Sequence, residues 1–260
     1  AYRQVWGPDG APLVAITRRQ AEALAARLGQ SVQVDWAMRY GTPSLASRLA
    51  ALKDSGCDRI LIAPLYPQYS GATTGTVIDA VGRALAKMRW QPAIRTLPPY
   101  FDTADHIDAL VKDTRAHLAA LDFEPEVILA SFHSMPERTL HLGDPYHCQC
   151  VKTARLLSEA LGRPLEVSFQ SKLGRAKWLK PATETTLTAL AQKGVKRLAV
   201  ITPGFSADNL ETLEEIAIRG KETFLSAGGT HFAALPCLND GDTGMTMIEA
   251  LVRRELAGWV

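Results

Sequence analysis

The chain has 260 residues, 47% of them hydrophobic and 22% charged, with a formal net charge of +2. That balance fits a soluble globular protein of one large domain or two ordinary ones, and it gives no electrostatic footprint for nucleic acid. No apolar run reaches the length of a membrane span, no signal-peptide pattern opens the chain, and the scattered cysteines Cys57, Cys148, Cys150 and Cys237 fit a reducing cytoplasm better than a disulfide framework.

Along the chain, "TRRQAEALAARLG" carries Ala21, Leu24, Ala25 and Leu28 at helical spacing, with Thr17 as N-cap and Gly29 as stop. "VQVDWAMRY" alternates, placing Val32, Val34, Trp36 and Met38 on one face of a strand and Arg39 on the other. "RILIAPLYP", "VILASF", "LEVSF" and "RLAVITPGF" are short, nearly continuous apolar runs bounded by Pro, Gly or Ser, the pattern of parallel strands buried on both faces. Between them "HIDALVKDTRAHLAAL", "QCVKTARLLSEALG" and "PATETTLTALAQKG" read as helices, and the alternation defines an α/β doubly wound architecture.

A long-period repeat divides the chain. "DRILIAPLYPQYSGATTG" matches "KRLAVITPGFSADNLET", and downstream "TLPPYFDTADHIDALV" matches "ALPCLNDGDTGMTMIEALV" in the same order. Two similar halves, 1–121 and 122–260, are therefore expected to face each other across a cleft, with the last helix packing back toward the first half. Ligands of open α/β sheets bind beyond the carboxyl ends of the strands. The polar residues at those ends are Arg39 and Tyr40, Tyr69 and Ser70, His133, Gln170 to Lys172, and Ser206 to Glu211.

Several of these have two readings. "SFHSMPERTLHLGDPYHCQC" leaves a buried strand with His133 two residues into it, while His141 and His147 read as solvent-facing and Cys148 and Cys150 as small packed thiols rather than a zinc pair. Asp208-x-x-Glu211 before "TLEEIAI" fits a capping box, in which Glu211 would bond back to the cap. Alternatively, Glu211 and Glu215, one helical turn apart, face one groove opposite His133 and suit a divalent cation such as ferrous iron. Arg39, Tyr40, Tyr69, Trp178 and Phe205 read either as interdomain core or as the wall of a pocket for a large flat ligand. Dinucleotide, Walker and serine-hydrolase motifs are absent.

Five stretches in order, "AMRYGTPS", "APLYPQYSGATTG", "SFHSMPERTLHLGDPYHCQC", "FQSKLGRAKWLKP" and "TPGFSADNLETLEEI", resemble ferrochelatases of the bacterial type. The resemblance implies a chelatase-type fold of two Rossmann-like domains, with parallel sheets facing a central cleft, and insertion of ferrous iron into protoporphyrin IX. It implies His133 and Glu211 as catalytic and metal-contacting residues, Asp208 and Glu215 along the metal path, and Arg39, Tyr40, Tyr69, Trp178 and Phe205 around the macrocycle. Asn209 stands where animal members carry a second histidine. Iron is then a substrate, no cofactor and no iron–sulfur cluster are expected, and the partners are protoporphyrin and iron, without nucleic acid. Peripheral membrane association is compatible with it, and oligomeric state is left open. The resemblance also places the chain's start after the family's first strand and lip, so an open edge is expected in the first sheet.

Overall fold

The computed structural model describes residues 5–172 and 174–260. The first half runs α1 (Pro12–Leu28), α2 (Leu45–Asp54), β1 (Arg59–Ile62), α3 (Thr74–Leu85), β2 (Ala93–Thr96) and α4 (Ala104–Ala119). The second runs β3 (Val127–His133), α5 (Glu137–His141), α6 (Tyr146–Leu161), β4 (Leu165–Gln170), α7 (Thr183–Gln192) and β5 (Arg197–Ile201). It continues with a π-helical segment (Glu211–Gly220), α8 (Lys221–Ser226), β6 (His231–Ala234) and α9 (Asp242–Leu256). The chain is an α/β protein in which every strand pairing of these two sheets is parallel: β1 with β2 in one, and the order β4-β3-β5-β6 in the other. Among the described residues no helix is long and apolar enough to cross a membrane.

The runs of β3 and β5 are buried on both faces, which is why they do not alternate in hydrophobicity, whereas β1 buries Ile60 and Ile62 and leaves Arg59 exposed. Ile128, Ala130 and Phe132 of β3 pack on Cys150, Ala154 and Leu157 of α6. Leu129 points the other way, joining Leu198 and Val200 of β5 against Leu187, Ile216 and Phe224. In the first half Ile60 and Ile62 of β1 pack on Leu49, Val77 and Val81 of α2 and α3. The repeat appears as one element order used twice: strand, long loop, helix, strand, helix. α9 crosses to the first half, where Leu251, Val252 and Leu256 share a cluster with Leu24, Leu28 and Tyr100. Arg27 of α1 bonds Asp242 and Glu249 on the same helix.

Two local expectations are corrected. α1 begins at Pro12, a proline at the first position where its missing N–H costs nothing. Thr17 lies inside the helix, its hydroxyl donating to the Leu13 carbonyl at 2.7 Å, and Gly29 does end it with φ 74°. "VQVDWAMRY" forms no strand: it contributes only a bridge between Met38 and Ser44. A strand needs a ladder partner, and among the described residues a cavity lies between this segment and β1.

The halves are joined by polar bonds at the loops after β1 and β5. Gln68 donates to Thr153 Oγ1 at 3.0 Å, and Tyr69 N–H to Gln149 Oε1 at 2.6 Å. Ser70 Oγ and Gly71 N–H both donate to Asp144 Oδ2 at 2.8 Å. Tyr100 Oη meets Ser206 Oγ at 2.9 Å, and Ser206 donates to the Leu65 carbonyl. Gly204 is closely packed at this junction: a Cβ there would lie 3.1 Å from the Phe132 ring and 3.3 Å from Gln68 Oε1, so those side chains would have to give by a few tenths of an ångström.

Candidate active site

A cavity of about 970 Å³ opens between the halves at the carboxyl ends of the strands, the upper end of the usual range for ligand pockets. Its inner end runs between the extended segment 32–38 and β1, lined by Leu24, Val32, Val34, Ile60, Ile62 and Val252. Its outer part is walled by His133, Phe205, Trp178, Tyr66, Arg39 and Glu211.

His133 is the last residue of β3, so its position is fixed by the ladder to β4, where its register partner is Gln170. Its Nδ1 lies 2.7 Å from the Ser134 carbonyl. A carbonyl can only accept, so Nδ1 carries a proton, and in the neutral tautomer Nε2 is the nitrogen with the lone pair. The ring is tilted against Phe205 with centroids 6.4 Å apart. His141 is exposed, but His147 is half-buried and stacks on Phe169 at 5.4 Å, contrary to its solvent-facing reading. The C-x-C pair divides: Cys150 is buried, with burial pushing its thiol pKa well up, whereas Cys148 is exposed.

The capping box exists one residue out of the expected register. Asn209 Oδ1 accepts from Thr212 N–H at 3.1 Å, and Thr212 Oγ1 accepts from Asn209 N–H at 3.1 Å. The reciprocal pair is Asn209-x-x-Thr212, so the cap needs nothing from Glu211. Among the described residues no donor reaches the Glu211 carboxylate, whose residue lines the cavity. The pattern Asn-x-x-Thr was present in the sequence; the acidic pair beside it drew the stronger motif.

The other two acids are engaged elsewhere. Asp208 is buried, accepting from Thr212 Oγ1 and Asn239 Nδ2, each at 2.7 Å, and does not line the cavity. Glu215 accepts from Ser171 N–H at 2.7 Å and from Ser171 Oγ. Glu211 and Glu215 do not share the cavity wall: Glu215 is absent from it, and both its carboxylate oxygens are taken by Ser171 at the end of β4.

Arg39 and Trp178 each bring a buried donor without a protein partner among the described residues, Nε and Nε1, to the cavity wall. Both atoms are themselves buried, so neither offers its N–H to the open space of the cavity. The Arg39 guanidinium also lies 4.4 Å from the centroid of Tyr40, an exposed residue at the rim. Tyr69 does not line the cavity: it is half-buried, with its phenol packed beside Gly75. Tyr66, three residues earlier and not singled out from the sequence, lines it instead. Burial raises its phenol pKa and keeps it neutral. Among the described residues no three His, Cys, Asp or Glu side chains gather into a metal cage.

These features define a two-sheet α/β protein of the chelatase fold. Similar solved structures are SirB from Bacillus subtilis with Fe3+, at TM-score 0.69 and 12% identity over 96% of this chain and 93% of that one. A second is the sirohydrochlorin chelatase SirB from Bacillus subtilis subspecies spizizenii in complex with cobalt, at TM-score 0.62 and 11% identity over 92% and 88% of the two chains. The family model described as Ferrochelatase matches residues 1–256. The ferrochelatase of Rhizobium meliloti (strain 1021) is 55% identical over 267 aligned positions, covering 100% of this chain and 79% of the relative. That of Agrobacterium fabrum (strain C58 / ATCC 33970) is 52% identical, covering 100% and 78%. The chain belongs to the ferrochelatase family.

Proposed function

We propose that the chain inserts ferrous iron into protoporphyrin IX to give protohaem, the terminal step of haem synthesis, in the cavity between its halves. Family membership supports the reaction. The observation that supports the site is the pairing, on one apolar-walled cavity, of an imidazole whose Nε2 is free with a carboxylate that the helix cap does not use.

Insertion removes two protons from the pyrrole nitrogens as iron enters, and the macrocycle must bend for its nitrogens to point at the metal. Trp178, Phe205, Tyr66 and Tyr40 supply flat walls, so that burial of the macrocycle offsets its distortion. His133 Nε2 accepts one pyrrole proton and passes it to solvent before taking the second, with the Ser134 carbonyl holding the tautomer. Glu211 offers an anionic oxygen that offsets the charge of the cation as it sheds water. Arg39, a cation on the cavity wall, pairs with a propionate of the substrate.

Anaerobic incubation of the chain with protoporphyrin and ferrous iron tests this. Appearance of the haem spectrum, dependent on protein and iron, is expected. Binding of protoporphyrin without metallation would make the chain a tetrapyrrole-binding protein and refute the reaction.

A further inference from the structure

Ser171 adopts φ 65°, a left-handed conformation that side-chain-bearing residues rarely occupy. Such a residue persists only where its surroundings hold it, and it stands directly after Gln170, the register partner of His133. Glu215 does the holding: its two carboxylate oxygens take the Ser171 N–H and hydroxyl. One residue back, Gln170 Nε2 donates at 2.9 Å to the Glu211 carbonyl, while its Oε1 accepts from Ser131 Oγ at 2.7 Å. Gln170 is 2% exposed, so this amide is fully committed to protein partners. The end of β4 is thus tied to the π-helical segment at two levels, through the Glu211 backbone and the Glu215 side chain.

We infer that Gln170 and the Ser171–Glu215 pair are positioning residues, a clasp that sets Glu211 relative to His133; the inference rests on the proposed iron insertion. On this assignment Glu215 does not carry metal. Its carboxylate is spent on a strained backbone turn, and its effect on chemistry passes through Glu211. A misplacement of about 1 Å at a reacting group can cost on the order of 100-fold in rate, so the clasp should be visible in turnover rather than in substrate affinity.

Glu215→Ala and Glu215→Gln separate the roles. Glutamine keeps an oxygen for the Ser171 N–H and an N–H for its hydroxyl, but is a far poorer ligand for ferrous iron. Glu215→Ala should lower kcat roughly 10- to 100-fold, with KM for ferrous iron and for protoporphyrin within about threefold of the parent. Glu215→Gln should restore kcat to within about threefold, and adding Glu215→Ala to Glu211→Gln should cost less than about threefold more, because coupled residues are not additive. Amide exchange at Ser171 reads the clasp without turnover: at least about tenfold faster in Glu215→Ala and close to parental in Glu215→Gln. Ser171→Ala, which keeps the left-handed strain and removes the hydroxyl bond to Glu215, takes the place of Glu215→Ala should that variant not fold, and a fall in kcat is expected of it too. A glutamine variant as impaired as alanine, with a raised KM for ferrous iron in both, would make Glu215 a metal-path ligand and overturn the clasp. So would unchanged Ser171 exchange in Glu215→Ala. A parent chain that inserts no iron refutes the proposed function, and the exchange contrast then decides the clasp by itself.

Discussion

Glu211 and Asn209 divide work that one motif reading would give to Glu211 alone. Asn209 and Thr212 close the cap, so Glu211→Gln should leave thermal stability within a degree or two while lowering iron insertion at least about 100-fold. Asn209→Ala should instead cost about 1 kcal/mol in urea unfolding, the usual loss on removing a cap. A Glu211→Gln protein that melts early but turns over normally would return the cap to Glu211. His106 sets a second residue-scale expectation. It is buried on α4 edge-on to Tyr100, its Nδ1 has no partner among the described residues, and burial lowers its pKa from 6.5 to about 4. The unfolded chain therefore binds a proton at a pH where the folded chain does not. Stability is full above pH 6.5, falls as pH drops through the window down to about 4, and levels off below it. The full loss is roughly 3 kcal/mol. Denaturant unfolding from pH 7.5 to 4 should show this slope in the parent and a shallower one in His106→Gln.

At the scale of elements, what was legible follows from how each element earns its place. β3 and β5 were readable because burial on both faces turns them into nearly uninterrupted apolar runs, whereas edge strand β4 keeps an exposed Glu166 and is buried only from Ser168 to Gln170. β2 and β6 are short, with exposed first residues and half-buried remainders, and no such run marks them. The segment 32–38 has strand periodicity yet no ladder, since pairing depends on a distant partner that periodicity does not report. The π-helical register was hidden for a related reason: "ETLEEIAIRG" is a good α-helical sequence, and the clasp to β4 that accompanies its altered register is long-range. Asp144 is another long-range device. It accepts from Ser70 and Gly71 of the first half while bonding Tyr146 N–H at the start of α6. Asp144→Ala should cost about 2 kcal/mol, given hydrogen bonds to a charged acceptor. It should also raise KM for protoporphyrin more than it lowers kcat, because it loosens one junction of the two walls without touching His133. Steady-state kinetics with unfolding curves check both; a fall confined to kcat would contradict a role at the junction.

For the whole molecule, the repeat predicts two halves, and residues of both line the cavity. β3 supplies His133, the loop after β5 supplies Phe205 and leads to Glu211, and the first half supplies Arg39, Tyr40 and Tyr66. The repeat did not tell that the halves are used unequally: Phe205 lines the cavity, while its counterpart Tyr69 turns away toward Gly75. Nor did it reveal that the loops after β1 and β5 also hold the halves together, through Gln68, Ser70 and Ser206. With both walls fixed, a planar ligand can be gripped while one imidazole nitrogen stays free for its protons. The most direct measurement is anaerobic iron insertion by His133→Ala, run beside a fluorescence titration of protoporphyrin on the same protein. Loss of a proton acceptor predicts a fall in metallation of about 100- to 10,000-fold, with protoporphyrin affinity within about tenfold of the parent. Metallation at near the parental rate would contradict the assignment of His133 and, with it, the site.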